Sequence, residues 1–270
     1  MSTEISTEIS TEIPTGTAAG PNYSAIAPEW QPPVPPSDLI FDDGVPLESN
    51  RHRIAMNVLI DAALNALQDR PNSFVGGNMF VYYSREQAMN RDFRGPDFFA
   101  VLDVDGNRER QGWVLWEESG RYPDVIVELM SPSTTQIDLG VKKLLYERTF
   151  HTAEYYVYDP FNPRSLAGWR LDNSQSYQAC EPNQQGWLWC EKLGLWLGTW
   201  DGCLRREPVT GTVAWLRFYH PDGSLVLLPE EIAQQAQERA DQAEERADQA
   251  EERAARLAAR LQALGEDPAL

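Results

Sequence analysis

The chain has 270 residues, 42% of them hydrophobic and 10% aromatic, which suffices for one sizeable core and excludes an intrinsically disordered protein. No apolar run approaches the roughly 20 residues that a membrane-spanning helix needs, and the opening MSTEISTEISTEI lacks the basic and apolar segments of a secretory signal, so a cytoplasmic location without membrane contact is expected. The net charge of −18 argues against strong non-specific nucleic-acid binding, but it is concentrated at the ends: eight acids and no Lys or Arg in residues 1–50, eleven acids and five Arg in 229–270, and 22 acids against 18 bases between them.

Residues 1–37 hold three copies of Ser-Thr-Glu-Ile and then a stretch rich in Pro, Gly and Ala. Such a composition cannot bury enough apolar surface to offset chain entropy, which predicts a disordered tail. From Glu48 to Leu67, Ile54, Val58, Ala62 and Leu67 recur at helical spacing, with Ala55, Leu59 and Ala66 widening the stripe. Arg70-Pro71-Asn72 ends that helix. Phe74 to Tyr83 reads as a strand containing Gly76 and Gly77, Asp97 to Leu102 as a second, and Trp113 to Trp116 as a third or its approach. Asp124 to Met130 is almost wholly apolar, as in a central strand buried on both faces. Ser133-Thr134-Thr135-Gln136 fits a capping box, and the helix behind it is predicted to reach about Phe150 with Ile137, Val141, Leu144 and Leu145 inward. Glu154 to Tyr158 is a further strand, stopped by Asp159-Pro160. This order of elements predicts a mixed α/β sandwich.

Between Leu166 and Leu228 the pattern is short and β-like, with turns at Asp172-Asn173, Asp201-Gly202 and Asp222-Gly223. It reads as strands and hairpins completing one domain over residues 38–228. The Trp residues at 169, 187, 189, 196, 200 and 215 fit core and hairpin packing better than a ligand platform. Cys180, Cys190 and Cys203, odd in number and without a CxxC, read as buried thiols and not as a disulfide framework or zinc site. In the last segment, 229–270, Ala and Leu alternate spacings of three and four from Ala233 to Leu264. That is a heptad seam, predicting one long helix over 229–264 able to pair with a second copy of the chain. The seam is mostly Ala and buries little area, so a solvated single helix held by charge pairs is the competing expectation.

The chemistry-bearing residues sit on the central elements. Pro96-Asp97 and Pro123-Asp124 open the two apolar strands, and Glu128 lies four residues into the second. A buried carboxylate is costly unless paired or metal-bound. Asp97 at the start of one strand and Glu128 at the far end of its neighbour are placed to share a face and hold Mg2+ (or Mn2+), which favours hard oxygen donors. The alternative for Glu128 is an acid satisfied by backbone donors. Asp124 reads as a turn residue where its strand begins. Lys142, one of three lysines, lies four residues after Asp138 and four before Tyr146, one stripe of the helix that follows the Glu128 strand. There it would orient an attacking water or neutralise developing charge; as the plainer reading, Asp138 and Lys142 form a surface pair.

At these residues, PDFFAVLDV followed by WVLWEESGRYPDVIVELMSPSTTQIDLGVKKLLYERTFHTAEYYVYDP resembles the Uma-two family of restriction endonucleases, in the PD-(D/E)XK nuclease superfamily. The resemblance extends from PLESNRHR to LQALGEDP. It implies a restriction-endonuclease-like mixed sheet flanked by helices, with a β-rich C-terminal part and the long heptad helix. It also implies a Mg2+-dependent endonuclease acting on DNA, with Asp97 and Glu128 as the two catalytic acids. The superfamily lysine two residues after the second acid is here Met130, and the resemblance moves its role to Lys142. Glu48 would be an accessory metal-site acid, and His52 would line the same cleft. The second reading is a weakly active or inactive nuclease-fold protein, acting as a binding or assembly module through its C-terminal helix.

Overall fold

The computed structural model describes residues 36, 38–41, 49–90, 92 and 94–264; the Ser-Thr-Glu-Ile repeats, nearly all of the predicted tail and Glu48 lie outside them. Helix α1 (Asn50–Ala66) begins at Ser49, whose Oγ accepts the His52 N–H at 3.2 Å. It buries Ile54, Ala55, Val58, Leu59 and Ala62, the stripe read from the periodicity. The single strand predicted over 74–83 is instead two strands in different sheets. β1 (Ser73–Gly76) pairs antiparallel with β3 (Phe98–Leu102), and β2 (Val81–Tyr82) pairs parallel with β4 (Trp113–Val114). At the break Asn78 adopts φ 50, and the chain passes so close to its neighbour that a Cβ on Gly77 would sit 2.2 Å from the Asp97 carbonyl oxygen. The short helix α2 (Arg85–Met89) follows β2.

The main sheet has six strands in the order β1-β3-β5-β6-β7-β8, completed by β5 (Val125–Leu129), β6 (Glu154–Asp159), β7 (Asn162–Leu171) and β8 (Tyr177–Ala179). Only β5–β6 among these neighbours is parallel, so the sheet is mixed. A second, three-stranded sheet, β11-β10-β9, is built from β9 (Leu188–Cys190), β10 (Leu195–Gly202) and β11 (Val213–Tyr219). The turn predicted at Asp201-Gly202 is not formed there: both residues are paired in β10, opposite Ala214 and Val213. Cys180 is half-buried and Cys190 buried, whereas Cys203 is exposed, against the expectation that all three are buried; none is in a disulfide.

The central strands are apolar on both sides because each face has its own core. Phe98, Ala100, Val125, Val127 and Tyr156 face α1 and the three-stranded sheet. Phe99, Val101, Ile126, Tyr155 and Val157 face Trp113, Tyr146 and Phe150. The second face is covered by a helix from Thr135 to Phe150, in which π turns (Asp138–Lys142 and Tyr146–Phe150) alternate with short α segments (Thr135–Ile137 and Lys143–Leu145). Its inward set corrects the predicted one. Ile137, Val141 and Leu144 are exposed, Leu145 is half-buried, and Asp138, Tyr146 and Phe150 are buried. A π turn takes more residues per revolution than the 3.6 of an α-helix, so the face repeats every four residues. The predicted capping box also forms elsewhere: Ser131 Oγ accepts the Thr134 N–H at 3.2 Å, and Thr134 Oγ1 accepts the Ser131 N–H at 3.0 Å.

The C-terminal helix (Pro229–Ala263) is one continuous rod. No helix among the described residues is long and apolar enough to cross a membrane.

Candidate metal-binding active site

The antiparallel register Phe98↔Val127 places Asp97, one step before β3, opposite Glu128 near the end of β5. Both share the face of Phe99 and Ile126, which the π-turned helix covers. The Leu129 N–H donates to Asp97 Oδ2 at 2.7 Å, which holds the aspartate against the end of β5. From the helix, Lys142 Nζ reaches Glu128 Oε2 at 3.0 Å and Asp138 Oδ1 at 2.8 Å. Tyr146 donates its O–H to Glu128 Oε1 at 2.7 Å, and Tyr155 donates to the Asp138 carbonyl at 2.9 Å. Glu128 and Asp138 are each 1% exposed.

The sequence-predicted Asp97, Glu128 and Lys142 are therefore neighbours. Asp138 and Tyr146, not named as site members from sequence, complete the cluster. Their signal was the Asp-x3-Lys-x3-Tyr spacing: four-residue steps keep one face once the helix takes π turns. The plainer reading of Asp138–Lys142 as a surface pair fails because Asp138 is buried. Asp124 is at the other end of the sheet, where its Oδ2 accepts the Leu102 N–H at 2.8 Å and pairs with Arg121 at 3.3 Å. His52 is buried, with Nε2 3.2 Å from the Met130 carbonyl and Nδ1 2.8 Å from Ser49 Oγ. Met130 is 5% exposed, packed into the core beneath the helix.

Glu154 shows what a structural buried acid looks like in this fold. It accepts from Arg170 Nε, Tyr156 O–H, Cys190 Sγ and the N–H groups of Glu191 and Lys192, all within 3.2 Å. Glu128 has a different surrounding. Its oxygens meet Tyr146 and Lys142, and Asp97 stands opposite. Burial, then the Glu128 charge, holds the Asp97 carboxyl well above the usual carboxylate range, against the opposing pull of the Leu129 N–H and Lys142. Burial pulls the Lys142 ammonium down, but Glu128 and Asp138 outweigh it and raise its pKa above the ordinary value. Burial and Glu128 push the Tyr146 hydroxyl well up, so it stays a proton donor.

Glu128 and Asp138 thus share the Lys142 ammonium, and Asp97 is a third carboxyl group beside them, held toward its neutral form by burial and by Glu128. Among the described residues, no three His, Cys, Asp or Glu side chains are arranged as a ligand set. An all-protein cage, as for zinc, does not fit. A hard divalent ion held by one or two carboxylates, with water and phosphate completing its shell, does fit Asp97 and Glu128.

The raised Asp97 pKa gives a test free of catalysis. Below about pH 3.9, the ordinary Asp value, Asp97 is protonated folded or unfolded and costs nothing. As pH rises through that value toward the higher folded one, the unfolded chain releases the proton first and stability is lost. Asp97→Asn, which keeps an acceptor for Leu129, is expected to raise the metal-free melting temperature at neutral pH, by about 2–4 °C per kcal/mol released. The gain should vanish near pH 3; an equal gain at both pH values would refute the charge argument.

A family model described as "Putative restriction endonuclease" (Uma2) matches residues 38–202. A search of curated proteins gives no match. A crystal structure described as a putative nuclease from Anabaena variabilis aligns with a TM-score of 0.40 and 13% identity, over 55% of this chain and 76% of that one.

Proposed function

The chain belongs to the Uma2 family, and from that premise we propose that it is a metal-dependent endonuclease hydrolysing phosphodiester bonds in DNA. The observation that carries this reading is the buried Asp97–Glu128 pair with Lys142 3.0 Å from Glu128, two carboxyl groups so close that Glu128 helps raise the Asp97 pKa. Asp97 and Glu128 would hold Mg2+ or Mn2+, an ion that supplies an acidified water and charge stabilisation at the scissile phosphate. Lys142, kept protonated by its two carboxylate neighbours, provides a fixed positive charge for the attacking water and the developing phosphorane. Asp138 positions Lys142 through the 2.8 Å ion pair. Tyr146 orients Glu128 so that its second oxygen faces the lysine. Glu48 lies outside the described residues, and its proposed accessory role rests on the family resemblance.

Met130 supports a second reading, in which the site is weak and the protein works as a binding or assembly module. The residue two positions after Glu128 is buried and uncharged, so the lysine must come from the helix.

The test is nicking of supercoiled plasmid with Mg2+, Mn2+ or EDTA by the wild type, Asp97→Ala and Glu128→Ala. Metal-dependent nicking by the wild type, reduced at least about 100-fold in both variants, is expected. Equal activity in all three proteins would defeat the assignment. A wild type that is inactive yet stabilised by Mg2+ through Asp97 would favour the second reading.

A further inference from the structure

The C-terminal helix leaves the body of the protein early. Glu231 and Gln235 are half-buried, and from Ala236 to Leu257 every side chain is exposed. Two apolar residues near its far end, Leu257 and Leu264, are 62% and 71% exposed. The seam has two positions per heptad, one running from Ala240 every seven residues to Leu261 and the other from Ala243 to Leu264. The flanks of this seam are sorted by charge. The residue before each first position is Arg239, Arg246, Arg253 or Arg260, and the residue after successive second positions includes Glu244 and Glu251.

That sorting discriminates between arrangements. In a parallel, in-register pair of helices, the first flank meets the second flank five residues further along the other chain. Arg239 then faces the partner's Glu244, and Arg246 faces the partner's Glu251, with the same contacts repeated by symmetry. In an antiparallel pair each flank meets its own kind, Arg against Arg and Glu against Glu, which is repulsive. Within the single helix these arginines are not consumed. The ion pair formed there is Arg256–Glu252, away from both flanks, and among the described residues Arg239, Arg246 and Arg253 enter none.

We propose that the C-terminal helix pairs with that of a second copy of this chain as a parallel, in-register two-stranded coiled coil. Leu257, Leu261 and Leu264 supply the larger apolar contacts at its end, and the Arg and Glu flanks select orientation and register. The proposal rests on no part of the nuclease reading. Its occupant is the same chain because the two complementary flanks lie on one helix.

Sedimentation of the full chain across the micromolar range is expected to show a species of twice the 30.6 kDa chain mass. Arg239→Glu combined with Arg246→Glu places four Glu–Glu contacts in the pair. It should raise the dissociation constant at least about 30-fold while leaving the melting of the domain unchanged, because both positions are exposed. For orientation, Ala243→Cys in a chain with Cys203→Ser should form an interchain disulfide on mild oxidation; antiparallel pairing would separate these positions. A monomer throughout, a dimer indifferent to the charge reversal, or a dimer that does not cross-link at position 243 would each overturn the proposal.

Discussion

Lys142→Met is expected to lower the stability of the metal-free protein by about 3–5 kcal/mol and, under the proposed function, to cut DNA cleavage by about 100- to 1,000-fold. The stability loss comes from what remains. Glu128 and Asp138, each 1% exposed, lose the ammonium that sits 3.0 and 2.8 Å away and face one another and Asp97 without a cation. A buried charge stripped of its partner costs far more than the pair contributes. The pH range follows from the direction of the Lys142 shift. A lysine with a raised folded pKa contributes fully below the unfolded value, about 10.4, and loses that contribution only as pH rises through the folded one. The difference between wild type and Lys142→Met in chemical denaturation should therefore persist from neutral pH to about pH 10. A variant as stable and as active as the wild type would remove Lys142 from the site.

The second large effect lies at the root of the C-terminal helix. Arg217 on β11 is 0% exposed, and its guanidinium meets both oxygens of Glu231 at 3.1 and 2.7 Å and the Val226 carbonyl at 3.0 Å. Glu231 also accepts the Leu228 N–H at 2.7 Å. Leu228 cannot cap the helix with its own side chain, so the glutamate three residues on closes the first turn, with Pro229 occupying the position where its missing N–H is harmless. Glu231→Ala removes a cap and isolates a buried guanidinium, an expected loss of about 3–5 kcal/mol in urea unfolding. Adding Arg217→Met should return most of it, because the double variant leaves no unpaired charge. If the double variant is as unstable as Glu231→Ala alone, packing and not the ion pair explains the effect.

How far the sequence carried these conclusions depended on the kind of signal. The α1 stripe follows from periodicity and β5 from its continuous apolar run, and the order of elements around them matches except at 74–89, where one expected strand is two and helix α2 was not expected. The Asp97–Glu128 meeting could be anticipated because two strands with acids at their near ends need only pair antiparallel. The helix over Asp138–Phe150 misled, since an α period of 3.6 put Ile137, Val141 and Leu144 inside where the π turns turn them out. The same departure hid Asp138, whose partner Lys142 looked like an ordinary surface neighbour. The division of residues 74–83 into two strands comes with one close approach, Gly77 against the Asp97 carbonyl, which is a tertiary event. The buried pairing of Arg217 with Glu231 joins residues whose roles the charge pattern alone could not distinguish from surface ones.

The two ends of the β3–β5 ladder are built alike. Asp97 grips the N–H of Leu129, and Asp124 grips the N–H of Leu102, so each strand begins with an aspartate clasping the last residue of the other. By the same register Asp97 faces Glu128, whereas Asp124 faces Val101. The ladder is thus nearly palindromic in its backbone, and its chemistry is decided by one side chain, an acid at one tip and a valine at the other. A single-residue slip would undo both clasps together, so the device that fixes strand alignment also protects the spacing of the acids.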